Sequence, residues 1–272
     1  MIYKKISLDD RDKNAYLEVY VADKIQNFVR KAILVIPGGG YSSVCSDREG
    51  EPIAMAFIPY GYNAFVLHYS VGENVTFPKQ LIQASKAIKH IKDNAEEYNI
   101  NPEHVFAVGF SAGGHLAGSL GILWDNPEVY KELDMEYGYN KPTGIMLIYP
   151  VVSSANESFK QKETFFNLLK TETPSHEEIL SCSLELNVSQ NVAPAYILHT
   201  ANDEIVNVRN SLSLADAYSV AKVPYELHIY PDGPHGVALG NRITKIGVEK
   251  YEEPAIAKWV ENAVYWANKI CD

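Results

Sequence analysis

Residues 105–120, VFAVGFSAGGHLAGSL, contain the most informative pattern in the sequence. This stretch begins with a short apolar run, typical of a buried strand, and ends with small and apolar residues that suit a closely packed helix. Between them, GFSAG at residues 109–113 has the pattern G-x-S-x-G. In this context a sharp, glycine-flanked turn holds the serine in a strained conformation at the carboxyl end of a strand. We therefore predict that Ser111 is a nucleophile; an incidental serine in a glycine-rich turn is the alternative.

Five further apolar runs of strand length surround this stretch. Each is apolar on both alternating faces, which is typical of strands covered by helices on both sides. Because helical patterns alternate with them, we predict an α/β fold with a mainly parallel sheet and right-handed crossovers. The runs lie at residues 32–36, 63–69, 144–149, 195–199 and 225–230.

Four segments between the strands have apolar residues at helical spacing and predict amphipathic helices. Ser46-x-x-Glu49 has the pattern of a capping box at the start of the first, and Pro254 suits the first turn of the last. Residues 16–21 alternate in polarity and predict an N-terminal antiparallel edge strand. The four helical segments are residues 47–59, 79–98, 209–221 and 254–270.

One long connection interrupts this alternation. About 45 residues separate the strand that ends at Tyr149 from the strand that starts at Ala195. Connections of this length in a compact domain are usually functional. We expect a single domain over residues 1–272, in which residues 151–192 form a lid-like insertion over a site. A helical excursion that packs on the rim is the alternative.

Composition and charge exclude several classes of protein. The 272 residues are 46% hydrophobic and 21% charged, which is typical of a globular chain. The net charge of −10 argues against nucleic acid and anionic membranes as partners, since both require basic surface. No apolar run approaches the ~18 residues of a membrane span, and the N-terminus is acidic where a signal peptide is apolar. Three widely spaced cysteines form no disulfide framework, so we expect a cytoplasmic protein.

Two further residues have the positions that a serine nucleophile requires of its acid and base. Asp203 follows the strand at 195–199, and His235 lies in a Gly- and Pro-rich loop after the strand at 225–230. The chain order Ser, Asp, His and the placement at strand carboxyl ends predict a catalytic triad. Glu204 and Asp232 are rival acids, and a turn residue that caps the helix from Arg209 is the structural alternative for Asp203.

A glycine run, PGGGY at residues 37–41, follows the strand at 32–36. Acyl transfer forms a tetrahedral oxyanion that needs backbone N–H donors, and glycines let a loop turn its amides toward the substrate. We predict the amides of Gly39, Gly40 and Ala112 as the donors. A phosphate-binding loop is the rival, but the chain has neither G-x-x-x-x-G-K-[ST] nor G-x-G-x-x-G at this turn.

The remaining histidines have no spacing of a metal site, so we predict no metal and no cofactor. His115, in the predicted helix after the nucleophile, is expected to pack against the sheet. His68, His199 and His228 lie in strand patterns and are expected to be satisfied core or edge residues. The charged residues 47–49, near the glycine run, either line the site or form a solvated helix start.

These motifs resemble the α/β-hydrolase superfamily, and within it the esterase/lipase branch that has an HGGG-type oxyanion motif. PGGGY, followed by SDREGEP and then GFSAGGHLA, is similar to bacterial acetyl esterases grouped with acetylxylan esterases. The resemblance covers residues 32–272 and implies a mainly parallel sheet of about eight strands between two helical layers. The sequence departs from the family pattern at Pro37, which replaces the histidine of HGGG.

The resemblance also implies roles for individual residues. Ser111 is then the nucleophile, His235 the base and Asp203 the acid that orients the base, while the oxyanion donors are Gly39, Gly40 and Ala112. A cap of helices at the N-terminus, present in many relatives, has no counterpart before the first strand, which favours an open pocket for small substrates.

The function that follows is a serine carboxylesterase for short acyl esters, with a small-molecule ester such as an acetylated sugar as substrate. The same triad also serves kynurenine-formamidase-like amidases and small peptidases, which are the alternatives. A non-catalytic binding module is a third reading, because fold does not fix function. The sequence leaves the oligomeric state open, a homo-oligomer included.

Overall fold

The computed structural model describes residues 1–73 and 75–271. Within these residues, eight strands form one sheet in the order β1-β2-β4-β3-β5-β6-β7-β8. From β4 to β8 all neighbours pair in parallel, while β2 pairs antiparallel with both β1 and β4. The mainly parallel, eight-stranded sheet is as predicted. The strands are β1 (Ile2–Ser7), β2 (Tyr16–Val21), β3 (Arg30–Ile36), β4 (Tyr62–His68), β5 (Ile100–Phe110), β6 (Gly144–Ile148), β7 (Ala195–Thr200) and β8 (Tyr225–Tyr230).

Helices cover both faces of this sheet. β3 shows why its sequence is apolar throughout: Leu34 and Ile36 face the core beneath α3, α5 and α9, while Ile33 and Val35 face the core beneath α2 and α10. Each such fully buried side chain contributes about 1.5–3 kcal/mol. The helices are α1 (Ser46–Glu49), α2 (Glu51–Phe57), α3 (Lys79–Asp93), α4 (Ala95–Tyr98), α5 (Ala112–Ile122), α6 (Pro127–Glu132), α7 (Lys162–Leu169), α8 (His176–Cys182), α9 (Arg209–Ala221) and α10 (Trp259–Cys271).

The prediction that residues 16–21 form an edge strand is wrong in one respect. They form β2, antiparallel as predicted, but β1 pairs along its outer side from Ile2–Val21 to Ser7–Tyr16. β1 has mostly exposed residues, including Lys4 and Lys5, so it lacks the apolar pattern of a core strand. A solvated edge strand leaves little hydrophobic signal in a sequence.

Three helix predictions need correction, because two segments are interrupted and a third helix begins later than predicted. The segment 47–59 is divided at Gly50 into α1 and α2 and then ends in a 3-10 turn at Ile58–Tyr60. The segment 79–98 is divided at Asn94 into α3 and α4. The helix predicted from residue 254 begins only at Trp259, because residues 254–258 form turns, within which Ile256 is buried. Pro254 therefore lies outside the helix.

The sheet topology brings four strand ends together at the site. β3 and β5 are parallel neighbours, with Ile36 paired with Gly109, so the loops that follow these strands are adjacent. β7 and β8 are also neighbours, with Thr200 paired with Tyr230. Parallel strands end at the same edge, and ligands of open α/β sheets bind at that edge.

Candidate active site

Ser111 lies at the turn between β5 and α5. Its backbone has φ 53° and ψ −118°, a conformation that a residue with a side chain rarely adopts. The turn is tight because α5 starts against the loop after β3: a Cβ on Gly113 would lie 2.2 Å from the carbonyl oxygen of Ile36. The local sequence therefore forces the serine hydroxyl out at the edge of the sheet, as the motif predicts.

The structure brings Ser111, His235 and Asp203 together in one chain of hydrogen bonds. The Ser111 Oγ and His235 Nε2 are 2.8 Å apart, and His235 Nδ1 lies 2.7 Å from Asp203 Oδ2. The His235 side chain is 13% exposed, whereas the Asp203 side chain is fully buried. The base thus faces the cleft, and the carboxylate lies behind it.

Three donors and one further imidazole surround the Asp203 carboxylate. Oδ1 accepts from the amides of Ile205 and Val206 at 2.9 and 2.8 Å, and Oδ2 accepts from His235. His199 Nε2 donates to the carbonyl oxygen of Val206 at 2.8 Å and lies 3.3 Å from Oδ2. Burial raises the pKa of Asp203, but the imidazoles of His199 and His235 and the amide of Val206, all of which favour the charged form, outweigh this effect. The net pKa lies well below the usual range of a carboxyl group, so the group is ionised at neutral pH.

The two rival acids lie elsewhere. Glu204 is exposed, and Asp232 accepts a hydrogen bond from Asn202 Nδ2 at 3.2 Å, on the surface. The turn-capping alternative for Asp203 is present together with the contact to His235, because Oδ1 caps the turn that follows. His199 is a satisfied core residue, as predicted, but its contact with Asp203 was not foreseen.

This arrangement fixes which nitrogen of His235 can act as a base. Because Oδ2 of the ionised Asp203 can only accept, Nδ1 carries the proton and donates it. Nε2 is then left with a lone pair, which accepts the hydroxyl proton of Ser111. The geometry can therefore remove a proton from Ser111 as its oxygen attacks an electrophile.

The glycine loop after β3 lies beside Ser111. Gly39 has φ 126°, and a Cβ there would lie 2.3 Å from the carbonyl oxygen of Ser43, so no other residue fits. Within residues 1–73 and 75–271, the amides of Gly39, Gly40 and Ala112 donate to no protein acceptor. The amide of Ala112 is also the first of α5, at the positive end of the helix dipole.

A cleft of about 280 Å³ opens over these residues. The glycine loop and Ser111 form its floor, and the N-terminal part of α7, from the insertion 151–192, forms one wall. Asn167 anchors that wall to the floor, since its Nδ2 donates to the carbonyl oxygen of Gly40 at 2.9 Å. Most of the lining side chains are polar, among them Ser42, Ser43, Arg48, Gln161, Glu163 and Asn167.

The sequence left open whether the charged residues 47–49 line the site or form a solvated helix start, and the structure shows that they differ from one another. Asp47 is exposed, Arg48 lines the cleft, and Glu49 is buried beside it. The capping box predicted for Ser46 and Glu49 is wrong, because Ser46 is the first residue of α1, the N-cap is Cys45, and no side chain caps this helix start. Glu49 points into the protein, where it accepts hydrogen bonds from the Gly38 amide and the Tyr149 hydroxyl.

His115 packs beneath the site as a neutral residue. Its Nε2 donates to the carbonyl oxygen of Cys182 at 2.8 Å, and its Nδ1 lies 2.8 Å from the hydroxyl of Tyr41. Burial lowers the pKa of His115 to about 4, against the smaller opposing effect of the Cys182 carbonyl.

This histidine predicts a pH dependence of stability. The unfolded chain protonates His115 near its ordinary pKa of ~6.5, whereas the folded protein does so only near 4, so protons favour unfolding between these values. Relative to a His115→Gln variant, the wild type should lose about 2–3 kcal/mol of unfolding free energy between pH 7 and pH 4.5. Urea denaturation of both proteins measures this, and parallel losses in the two would contradict it.

In the residues that the structure describes, no three histidine, cysteine, aspartate or glutamate side chains are grouped so that they could hold a metal ion. No helix among the same residues has the length and apolar character needed to cross a membrane.

The fold is that of an α/β hydrolase, as the sequence motifs predicted. Residues 17–218 match the BD-FAE family, and the chain belongs to that family.

Two curated proteins and one solved structure illustrate the similarity. The chain is 37% identical over 217 residues to endo-1,4-beta-xylanase B of Butyrivibrio fibrisolvens, covering 78% of this chain and 33% of that protein. It is 28% identical to the acetylxylan esterase of Xylanibacter ruminicola, covering 77% of this chain and 42% of the relative. The chain thus spans between a third and a half of these relatives. The acetyl ester-xyloside bifunctional hydrolase from Caldicellulosiruptor lactoaceticus superposes with a TM-score of 0.82 at 29% identity, covering 98% of this chain and 96% of the other.

Proposed function

We propose that this chain is a serine esterase that hydrolyses short acyl esters, chiefly acetyl esters, through Ser111, His235 and Asp203. The observation that carries the proposal is the continuous hydrogen-bond chain from Ser111 Oγ through His235 to Asp203, with distances of 2.8 and 2.7 Å. A nucleophile, a base and an orienting acid in this order are the requirements of acyl transfer by serine.

The reaction proceeds in two halves. His235 Nε2 takes the hydroxyl proton of Ser111 as Oγ forms a bond to the ester carbonyl carbon. The bond from that carbon to the alcohol oxygen then breaks, and His235 returns the proton to the departing alcohol. In the second half, water gives a proton to His235 as its oxygen forms a bond to the acyl carbon. The bond from that carbon to Ser111 Oγ then breaks, His235 returns the proton to Oγ, and the carboxylic acid leaves.

We assign the stabilisation of the negative charge on each tetrahedral intermediate to three backbone amides. Gly39, Gly40 and Ala112 have N–H groups without a protein acceptor, beside the nucleophile. Donors that are already oriented stabilise the oxyanion without reorganisation, and each is worth about 10²–10³ in kcat. The partial positive charge at the start of α5 adds to this effect.

The shape and polarity of the cleft support a small acyl group on a hydrophilic alcohol. Its volume of about 280 Å³ is below the usual range of drug-sized pockets, ~300–1,000 Å³. Its hydroxyl, amide and charged side chains suit a polyhydroxylated alcohol, such as an acetylated sugar. Two of the relatives have names that refer to acetyl esters or acetylxylan, which agrees with this class. We assign residues 151–192 as the lid-like insertion that closes one side.

The substrate class predicts a steep dependence on acyl length. With p-nitrophenyl esters, kcat/KM should fall at least about tenfold from acetate to butyrate and at least about a hundredfold to octanoate, since a cleft of about 280 Å³ leaves little room for added methylenes. Stopped-time assays at one pH measure the series. A rate that rises with chain length would contradict the small-acyl cleft, and an aryl formamide hydrolysed faster than the acetate would favour the amidase alternative.

A further inference from the structure

Glu49, at the end of α1, is a buried carboxylate with two specific donors. It is only 2% exposed. Its Oε2 accepts from the Gly38 amide at 2.8 Å, and its Oε1 accepts from the Tyr149 hydroxyl at 2.9 Å. Burying a carboxylate is costly unless such hydrogen bonds compensate it. The cost indicates that the position of this group matters to something other than packing.

The first of these bonds fixes the start of the glycine loop. Gly38 lies between Glu49 and the nucleophile: a Cβ on it would lie 2.9 Å from Glu49 Oε2 and 3.1 Å from Ser111 Cβ. The carbonyl oxygen of Gly38 accepts from the amide of Cys45 at 3.0 Å, which closes the loop. A shift of Gly38 would therefore move the amides of Gly39 and Gly40 relative to Ser111.

The second bond connects Glu49 to the segment that carries the base. The Tyr149 hydroxyl donates to Glu49 and accepts from the amide of Ala238 at 3.0 Å. The ring of Tyr149 also packs edge-on against His235, with 5.0 Å between ring centroids. One carboxylate thus connects, through one hydroxyl group, the glycine loop and the loop of His235.

We propose that Glu49 is a positioning residue that holds the oxyanion donors and the base in register with Ser111. This inference rests on the proposed function. The carbonyl oxygen of Pro37 is held separately, by the hydroxyl of Tyr69 at 2.9 Å.

The decisive variant is Glu49→Gln, which keeps the size of the side chain but replaces one acceptor oxygen with an NH₂ donor. The amide group can no longer accept from both Gly38 and Tyr149. We expect kcat for p-nitrophenyl acetate to fall about 10–100-fold, with KM within about threefold. Displaced oxyanion donors weaken the binding of the transition state more than the binding of the substrate. The matched control is Glu51→Gln, an exposed carboxylate two residues away, for which kcat should stay within about twofold.

A transition-state mimic separates positioning from mere stability. A short alkyl trifluoromethyl ketone forms a hemiketal oxyanion with Ser111, so its Ki should rise in Glu49→Gln by about the same factor as kcat falls. If Glu49→Gln does not fold, Tyr149→Phe, which removes one donor and keeps the carboxylate, is measured instead. In that variant we expect a smaller loss of kcat, about 3–10-fold, with a matching rise in Ki.

The outcomes are distinct. A Glu49→Gln variant with a lower melting temperature but unchanged kcat and Ki would overturn the positioning role and leave the esterase proposal intact. The same holds if Tyr149→Phe, used in its place, has unchanged kcat and Ki. A wild type without activity on any ester would overturn the proposed function and this inference together.

Discussion

The Ser111→Ala variant is expected to hydrolyse p-nitrophenyl acetate at least about 10⁵-fold more slowly than the wild type. Without Oγ, no acyl-enzyme can form, and only water attack assisted by the oxyanion donors remains. The fold should persist, because the Ser111 hydroxyl bonds to the side chain of His235 and not to the backbone that holds the turn. Steady-state assays with circular dichroism of both proteins measure activity and fold together.

A matched control for this variant is Ser213→Ala. The Ser213 hydroxyl donates to the carbonyl oxygen of Asn210 within α9, away from the cleft. Its removal should leave kcat within about twofold of the wild type. A Ser111→Ala protein with more than about 1% of wild-type activity would contradict the assignment of the nucleophile. A folded wild type without any activity would instead favour the non-catalytic reading.

The second large effect is expected for Asp203→Asn, with a fall in kcat of about 10⁴-fold. Two amides, from Ile205 and Val206, donate to the Oδ1 position, so the carbonyl oxygen of the asparagine must stay there. The NH₂ group then faces His235 Nδ1, which becomes an acceptor. His235 is forced into the tautomer with its proton on Nε2, where it can no longer accept the proton of Ser111.

The rival acid provides the comparison for this result. Asp232→Asn changes a surface carboxylate that bonds only to Asn202 among the hydrogen bonds described, and its kcat should stay within about threefold of the wild type. Initial rates of both variants over pH 6–9 distinguish the loss of His235 as a base, which lowers the rate at every pH, from a shift in the pH dependence of the rate. Equal losses in the two variants, or a larger loss in Asp232→Asn, would contradict the choice of Asp203.

The site residues that the sequence could predict are those whose geometry is local or follows from strand order. The turn at Ser111 depends on glycines within a few residues. Asp203 and His235 follow two predicted strands, and parallel strands end at one edge. Their meeting also depends on the order β5-β6-β7-β8, which the alternation of strands and helices alone does not determine.

Glu49 shows why other parts of the site could not be predicted. Its spacing from Ser46 matches a capping box, which is a local pattern. In the structure, the Gly38 amide and the hydroxyl of Tyr149, which is 100 residues away in the chain, compete successfully for the carboxylate. A contact at such separation has no local sequence signal. The same applies to Asn167 and Gly40, which lie 127 residues apart and place α7 over the cleft.

The proposal that Ser111 is the nucleophile of a serine esterase is tested by identifying the residue that forms the covalent intermediate. The wild type and Ser111→Ala are incubated with a fluorophosphonate, and the adduct is located by intact mass and peptide mapping. We expect one adduct per wild-type chain, on the peptide that contains Ser111, and none in Ser111→Ala. An unlabelled wild type that still hydrolyses esters, or an adduct that persists in Ser111→Ala, would contradict the serine esterase mechanism.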